Sequence, residues 1–340
     1  MQNTSTDNCI NVSISQWIAN AIADTGCRVV YGGHGGALAP LVDAIVQHPS
    51  LTWVCARNEH DAATMAAAHA KFTGNLAVVI ATSGPGATNL TTGLLEAVMD
   101  SVPLLAITGL KPTAQIGYSE FQDVNQSRLF AAGGIEWSKD ARSSEAVLPL
   151  LRDAVSTALS HRTCAHLAIP ADIQAAPAPI PLRRFCAAYA EKRIHTRVID
   201  PQVLDESAKT LTLAGTPEKP PPRTIIAVGL RAACYEDPNE SDMSMSQVLL
   251  ELAEALNAPI LTRLHAKGVV DEFHPLALGV VGVHGKPGLE AAASLISTSD
   301  QVLCIGVEDE TLLVCNSAGF QVSVFSRQSQ KFKLVNHVYS

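Results

Sequence analysis

Residues 76–82 read Leu76-Ala77-Val78-Val79-Ile80-Ala81-Thr82, and they run directly into Ser83-Gly84-Pro85-Gly86. An apolar run of this length predicts a strand buried on both faces, because a strand with one solvated face alternates apolar and polar residues. Glycine and proline end the strand, and the following segment, Thr88–Met99, predicts a helix. A buried strand, a tight turn and a helix form the repeating unit of a parallel α/β sheet.

The same alternation continues on both sides of this unit. Further strands are predicted at Cys27–Tyr31, Leu51–Ala56, Pro103–Thr108 and His166–Ile169. The intervening helices are predicted at Ile14–Ile22 with Ser13 as N-cap, at Leu38–Ile45, at Asn58–Phe72 and at Val147–Leu159. We therefore predict one doubly wound α/β domain over residues 1–178.

A second, smaller α/β domain is predicted over residues 223–340. The proline block Lys219-Pro220-Pro221-Pro222 precedes a strand at Thr224–Val228, and residues 179–222 are predicted to be a linker that includes a helix. Later strands are predicted at Pro259–Thr262, Gln301–Gly306, Gln321–Phe325 and Lys333–Val338, and helices at Val248–Leu256 and Gly288–Ile296. The predicted fold class is therefore α/β, with two doubly wound parallel-sheet domains.

Charge and composition exclude several classes of protein. Hydrophobic residues make up 47% of the chain and charged residues 16%, which excludes global disorder. The net charge of −8 repels phosphate backbones, so we expect no nucleic-acid partner. Apolar runs are too short to span a bilayer. The polar segment Met1–Asn11 lacks the features of a secretory signal or a transit peptide, so we expect a cytoplasmic location and no membrane association.

Three loops follow predicted strands and form the candidate site. They are Gly32-Gly33-His34-Gly35-Gly36, Arg57-Asn58-Glu59-His60 and Ser83-Gly84-Pro85-Gly86. Ligands of parallel α/β sheets lie at the carboxyl ends of the strands, so three such loops predict a ligand site. Glycine allows the backbone to approach a ligand closely.

Each loop also has a purely structural interpretation. The glycines can serve helix–sheet packing, Glu59 can be a first-turn acid favoured by the helix dipole, and Ser83–Gly86 can be only a turn plus an N-cap. Several established motifs are absent: there is no G-x-S-x-G elbow, no P-loop and no zinc-ligand spacing. The dinucleotide fingerprint fails because Leu38 stands where glycine or alanine is required.

The segments Thr82–Leu90 and Met99–Gly109 closely resemble acetolactate synthase, which together with pyruvate oxidase belongs to the thiamine-diphosphate (ThDP) enzymes. Other similar segments are Val30–Gly36, Arg57–Ala70, Phe121-Gln122-Asp123 and His166–Asp172, and Leu278–Gly285 resembles the family's middle domain. The resemblance covers nearly the whole chain and is strongest up to Gly109.

The resemblance implies roles for individual residues. Glu59 corresponds to the catalytic glutamate, which in that family hydrogen-bonds N1′ of the cofactor's aminopyrimidine and so promotes removal of the C2 proton. Residues implied to line the pyrimidine pocket are Gly33, Gly35, Gly36, Pro85, Gly86 and Asn89. Residues implied to face the substrate, a small 2-oxo acid, are Phe121, Gln122 and Lys139.

The family has three domains, and the resemblance covers only the pyrimidine-binding and middle domains. No Gly-Asp-Gly signature of the diphosphate-binding domain occurs in the sequence, so we expect that domain to be missing from this chain. The expected cofactor is ThDP, with Mg²⁺ bound only through the absent domain and no metal ligands in this chain. FAD has no clear motif. We expect a homo-oligomer, or a partner chain that supplies the diphosphate-binding domain.

The expected function is therefore that of a ThDP-dependent carboligase or decarboxylase of 2-oxo acids, resembling acetolactate synthase and incomplete as a single chain. A truncated or degenerate homologue that acts as a non-catalytic interaction module is an alternative, motivated by His34, which replaces a proline common in the family. A nucleotide-binding oxidoreductase of Rossmann type is a third hypothesis, which the failed glycine fingerprint disfavours.

Overall fold

The computed structural model describes residues 12–118, 121–179, 201–212, 222–233, 243–280, 295, 298–307, 321–325 and 333–336. The chain divides into two units, residues 1–195 and 196–340, and each is described by itself. Within these described ranges, no helix is both long enough and apolar enough to cross a membrane.

The first unit contains a six-stranded parallel sheet with the order β2-β1-β3-β4-β6-β5. Its strands are β1 (Val29–Gly32), β2 (Thr52–Cys55), β3 (Ala77–Ala81), β4 (Leu104–Leu110), β5 (Trp137–Asp140) and β6 (Cys164–Pro170). The chain moves outward from β1 to β2 and then crosses back to β3 on the other side of β1. The carboxyl ends of β1 and β3 therefore flank the point where the winding reverses, which is where open α/β sheets bind ligands.

Helices cover both faces of this sheet. They are α1 (Ile14–Asp24), α2 (Ala39–Gln47), α3 (Glu59–Thr73), α4 (Pro85–Met99), α5 (Gln126–Ala132), α6 (Ser144–His161) and α7 (Ala171–Ala175). Val78 and Ile80 of β3 pack into a buried cluster with α1, α2 and α6, whereas Val79 and Ala81 pack into a second cluster with α3, α4 and α5. Both faces of β3 are buried, which confirms the doubly wound fold and explains its continuous apolar run.

Local signals located most of these elements to within a few residues. Ser13 is the N-cap of α1, as predicted, and the structure adds a capping box with Gln16. Helix α4 begins at Pro85, three residues before the predicted start at Thr88, because proline is favoured at the first helical position. Strand β5 and helix α5 were not predicted. As an edge strand, β5 carries polar residues and shows no apolar run.

The second unit also contains a six-stranded sheet, with the order β12-β11-β10-β7-β8-β9. Its strands are β7 (Thr224–Val228), β8 (Ile260–Thr262), β9 (Ala277–Val280), β10 (Gln301–Ile305), β11 (Gln321–Phe325) and β12 (Lys333–Asn336). Its helices include Pro201–Thr212, Leu230–Ala233 and Met245–Leu256. The strand pairs are parallel except that β12, at one edge, runs antiparallel to β11.

The two parallel-sheet units confirm the predicted fold class, with β12 as the exception. Strand β9 was not predicted, and the predicted helix at Gly288–Ile296 lies almost wholly outside the described residues. The predicted linker, residues 179–222, contains the helix Pro201–Thr212, and most of its other residues also lie outside the described ranges.

Candidate active site

Three neighbouring strands end at the same edge of the first sheet. Strand β1 lies between β2 and β3, so the loops that follow these strands are brought side by side. The loops carry the glycine cluster after β1, the segment before Glu59 after β2, and the turn Thr82-Ser83-Gly84 after β3. The predicted convergence of three strand ends is therefore present in the structure.

Glu59 is the first residue of α3, and its side chain is half-buried. The preceding residue, Asn58, is the N-cap and accepts a 2.8 Å hydrogen bond from the backbone N–H of His60. A carboxylate in the first turn of a helix is stabilised by the helix dipole. The helix cap and the helix dipole therefore explain why an acidic residue is tolerated at this position.

The side chain of Asn89, one turn into α4, fixes one oxygen of this carboxylate. Its Nδ2 donates a hydrogen bond of 3.0 Å to Oε2 of Glu59. Oε1 has no hydrogen-bond partner among the described residues, and the backbones of Gly33 and Gly86 lie beside it. Glu59 therefore presents one free acceptor oxygen toward the glycine loops.

Gly33 approaches the carboxylate so closely that a side chain would not fit. A Cβ atom added to Gly33 would stand 2.8 Å from Oε1 of Glu59, and one added to Gly86 would stand 3.4 Å from the same atom. A Cβ at Gly35 would stand 2.5 Å from Oγ1 of Thr82, so Gly35 serves packing between two loops. Gly36 has open space around it. Only some of the predicted glycines therefore touch the carboxylate.

Two buried hydroxyl groups lie in the turn after β3. Oγ1 of Thr82 and Oγ of Ser83 are buried and have no hydrogen-bond partner among the described residues. The N-cap of α4 is Gly84 with φ +65°, and it makes no side-chain capping bond, so Ser83 is not an N-cap. Buried polar groups without partners are uncommon and need an explanation. The only signal for them along the chain is the position of Thr82 and Ser83 at the end of a strand.

Two of the three residues predicted to face the substrate, Phe121 and Gln122, lie beside the turn that opens α4. Gln122 has φ +65° and packs on Gly84, where an added Cβ would stand 2.6 Å from Cβ of Gln122. Phe121 is 80% exposed, and Nζ of Lys111 lies 5.8 Å from its ring centroid. Gln122 therefore borders the turn that opens α4, with Phe121 next to it in the chain.

Lys139 lies away from the candidate site, whereas Pro85 and His34 belong to the strand-end loops themselves. Lys139 is exposed on β5, at the opposite edge of the sheet from β2, and its Nζ lies 4.9 Å from the centroid of the Trp137 ring. The fold thus does not bring Lys139 to the carboxylate of Glu59. Pro85 and His34 are both exposed.

A buried polar network under the loop after β4 was missed at the sequence level. Nε2 of His166 lies 2.7 Å from Oγ1 of Thr108, and Nδ1 lies 2.7 Å from Oγ of Ser138. Thr108 donates to Oε1 of Gln126, whose Nε2 donates to the carbonyl of Gly109 at 2.8 Å. Since Thr108 has one hydroxyl proton, its oxygen accepts from Nε2–H of His166. The sequence feature that could have indicated this network is His166, a histidine inside an otherwise apolar strand.

Burial keeps His166 neutral. The side chain is fully buried, and desolvation lowers its pKa to about 3. A neutral imidazole that donates from Nε2 and accepts at Nδ1 satisfies the hydroxyl groups on both sides. The network therefore joins β4, β5, β6 and the start of α5, next to the loop that carries Gln122.

The sequence matches two family models. Residues 12–129 match the N-terminal TPP binding domain of thiamine pyrophosphate enzymes, and residues 240–332 match the central domain of the same enzymes. Thiamine pyrophosphate is another name for thiamine diphosphate. The first match contains Glu59, Asn89 and all three strand-end loops.

The chain is also similar to curated large subunits of acetolactate synthase. It is 34% identical over 286 residues to a probable acetolactate synthase large subunit of Methanococcus aeolicus, covering 82% of this chain and 44% of the relative. It is 32% identical over 298 residues to the corresponding protein of Methanocaldococcus jannaschii, covering 85% and 46%. It is 32% identical over 296 residues to the large subunit of Escherichia coli isozyme 2, covering 86% and 49%.

These matches span less than half the length of each of the three relatives. The matched part comprises the N-terminal and central domains, in agreement with the two α/β units of the structure. The chain thus belongs to the thiamine-diphosphate-dependent enzyme family, and its two domains are of the acetolactate synthase type.

Proposed function

We propose that this chain supplies the aminopyrimidine side of a ThDP site in an enzyme that acts on small 2-oxo acids such as pyruvate. The reaction would be a carboligation or decarboxylation of the acetolactate synthase kind. One observation carries the proposal: the carboxylate of Glu59 is fixed at Oε2 by Asn89 and directs Oε1 toward Gly33 and Gly86.

The residues of the site fit this half of the cofactor. An aminopyrimidine offers a ring nitrogen that pairs with a carboxyl group, an amino group that donates, and a flat ring that requires a bare backbone beside it. Glu59 provides the carboxyl group, and Gly33 and Gly86 provide bare backbone beside it. The unpartnered hydroxyl groups of Thr82 and Ser83 add polar atoms at the same turn.

When bound, the cofactor supplies an electron sink for cleavage or formation of the bond next to the substrate carbonyl. The protein's own part is proton transfer and positioning. Glu59 holds or releases a proton at Oε1, while the hydrogen bond from Asn89 keeps the other oxygen in place. Gln122 and Phe121 lie beside the turn that opens α4 and would border the 2-oxo acid.

The diphosphate and Mg²⁺ would be held outside the two domains described here. The relatives extend well beyond the matched part, and the family places these groups in a third domain. We propose that another copy, a partner chain or a further part of the protein supplies that domain, and that turnover requires it. We propose residues 1–178 as the pyrimidine-binding domain and residues 223–340 as the middle domain.

Calorimetric titration with ThDP and Mg²⁺ tests the cofactor assignment. Glu59→Gln should weaken binding by about tenfold or more, because loss of a charge-assisted hydrogen bond costs about 1.5–3 kcal/mol. Asp61→Asn is the matched control, since Asp61 is an acid in the same first turn of α3. Equal affinities for the wild type and Glu59→Gln would reject the assignment of Glu59.

Turnover tests the reaction itself. Pyruvate consumption should require ThDP, Mg²⁺ and a source of the diphosphate-binding domain, such as a full-length acetolactate synthase subunit with its own glutamate replaced. Restored activity that depends on Glu59 of this chain supports the proposal. A stable mixed complex without activity would favour the non-catalytic interaction module instead.

A further inference from the structure

Two loops border the candidate site, and both are connected to the short helix α7. The first, Gly33–Ala37, carries the glycine that touches Glu59. The second, Lys111–Asn125, carries Gln122, which packs on the turn after β3. Residues of α7 lie behind each of these loops. The helix lies outside residues 12–129, the part of the chain that matches the N-terminal TPP binding domain.

Gln174 holds the first loop from behind. Its side chain is fully buried, and Nε2 donates to the carbonyl of Ala37 at 2.9 Å and to the carbonyl of Ile169 at 2.7 Å. A Cβ added to Gly109 would stand 2.1 Å from the same Ala37 carbonyl oxygen, so β4 closes on it from another side. The end of the glycine loop is thereby fixed to β6 and β4.

Asp172 holds the second loop. Its two carboxylate oxygens each lie 3.1 Å from the backbone N–H of Thr113, and Oδ2 accepts from Oγ1 of Thr113 at 2.6 Å. Burial raises the pKa of Asp172, but the hydrogen bonds from Thr113 and from nearby backbone N–H groups together lower it by more, so the pKa lies below its ordinary value. Within the loop, Asp123 accepts from the backbone N–H of Gly117 at 2.8 Å. The loop is therefore held close to its start and again next to Gln122.

The buried side-chain amide of Gln174 is not needed to attach α7 to the rest of the domain. The helix is already joined to α1, since Oγ of Ser15 donates to the backbone carbonyl of Gln174 at 2.9 Å. Oε1 of Gln174 is buried without a hydrogen-bond partner among the described residues, which is unfavourable for stability. An apolar side chain would avoid that penalty but could not hold the carbonyl of Ala37.

We infer that Gln174 and Asp172 are positioning residues for the cofactor site: Gln174 sets the glycine loop against Glu59, and Asp172 sets the loop that carries Phe121 and Gln122. This inference rests on the proposed function, since the loops matter only if they border a bound cofactor and substrate. Neither side chain is expected to touch the reacting atoms.

Amide hydrogen exchange of the full chain tests the inference without any ligand. The backbone N–H of Leu38 bonds to the carbonyl of Gly35 at 2.9 Å, so it reports on the glycine loop. In Gln174→Met, exchange of Leu38 should rise about tenfold, while exchange in β3 stays unchanged. Ser15→Ala is the matched control, because it removes a buried hydrogen bond to the same residue without touching the loop.

Asp172→Ala tests the second loop. Because Asp172 is exposed, we expect this variant to fold. It should speed exchange of the Thr113 amide and leave that of Leu38 unchanged. Unaltered Leu38 exchange in Gln174→Met, or equal loss of protection in β3, would overturn the role of Gln174. Unaltered Thr113 exchange in Asp172→Ala would overturn that of Asp172.

Cofactor titration then separates this inference from the proposed function. Gln174→Met should weaken ThDP binding by about tenfold, whereas Ser15→Ala should bind as the wild type does. If the wild type binds and Gln174→Met binds equally well, the positioning role is wrong and the proposed function stands. If the wild type does not bind even when a partner chain supplies the diphosphate-binding domain, the proposed function fails, and with it the link between loop position and cofactor.

Discussion

Oε2 of Glu59 and Nδ2 of Asn89 lie 3.0 Å apart and join the first turn of α3 to the second turn of α4. The two helices start from β2 and β3, which are separated by β1. Their close packing depends on Gly93, where an added Cβ would stand 2.5 Å from Cβ of Ala63. Since Gly93 lies one turn beyond Asn89, this contact brings the amide within reach of the carboxylate.

Replacement of Asn89 by alanine should release the carboxylate of Glu59 without unfolding the chain. Asn89 is exposed, so the free energy of unfolding should change by no more than about 0.5 kcal/mol. ThDP affinity should fall by about tenfold, because the orientation of Oε1 is no longer fixed. Calorimetry and urea denaturation measure the two effects, with Thr88→Ala as a control on the same turn. A change in stability without a change in affinity would contradict the role of Asn89.

Gly33→Ala should impair the site by steric contact. The new methyl group would stand 2.8 Å from Oε1 of Glu59, so the carboxylate must move. We expect cofactor binding to be lost at concentrations that saturate the wild type. Gly133→Ala is a matched control, because its nearest neighbour would be the carbonyl oxygen of Phe130 at 3.4 Å. Wild-type binding by Gly33→Ala would show that the carboxylate adapts freely.

Gly93→Ala should affect both stability and binding. The added Cβ would meet Cβ of Ala63 at 2.5 Å and the backbone N of Thr64 at 2.8 Å, so the helices must separate. Overpacking of this kind costs about 1–3 kcal/mol, which denaturant unfolding would measure. A larger separation of α3 and α4 should also lengthen the bond between Asn89 and Glu59. Full stability would show that the helices tolerate the extra methyl group.

His166 should make the folded state sensitive to mild acid. Its folded pKa of about 3 lies below the value of 6.5 of an ordinary histidine, so between these values the unfolded state binds more protons. Stability should therefore fall as the pH is lowered from 6.5 toward 3, by up to about 1.4 kcal/mol per pH unit. The slope is steepest midway between the two pKa values, where the unfolded chain carries the proton and the folded chain does not.

His166→Gln isolates this contribution. The variant is expected to be less stable than the wild type near neutral pH, because glutamine cannot reproduce both hydrogen bonds to Thr108 and Ser138. The difference between the two chains should shrink as the pH falls, since only the wild type has the titrating group. Parallel stability curves from pH 7 to pH 4 would refute the buried neutral histidine.

Sequence patterns predicted the interior of the fold better than its edges. The apolar run of β3 and the N-cap Ser13 of α1 are local signals, and both were located correctly. Strand β5 pairs on one side only, and its polar residues gave no comparable signal. The buried Thr108–His166 network was also missed, because polar residues far apart in the chain show no pattern before the strands pair.

By itself the sequence determined the buried strands and most of the helices of the first domain, the presence of an acid at the start of α3, and membership of the enzyme family, because periodicity and motifs are local properties of the chain. The tertiary structure decided which of those residues meet. It placed Asn89, 30 residues away, on Glu59, and Gln174, 137 residues away, behind Ala37. It also placed Lys139 at the opposite sheet edge. The physical reason is that long-range strand pairing and helix packing fix these distances, and neither is written in the spacing of residues along the chain.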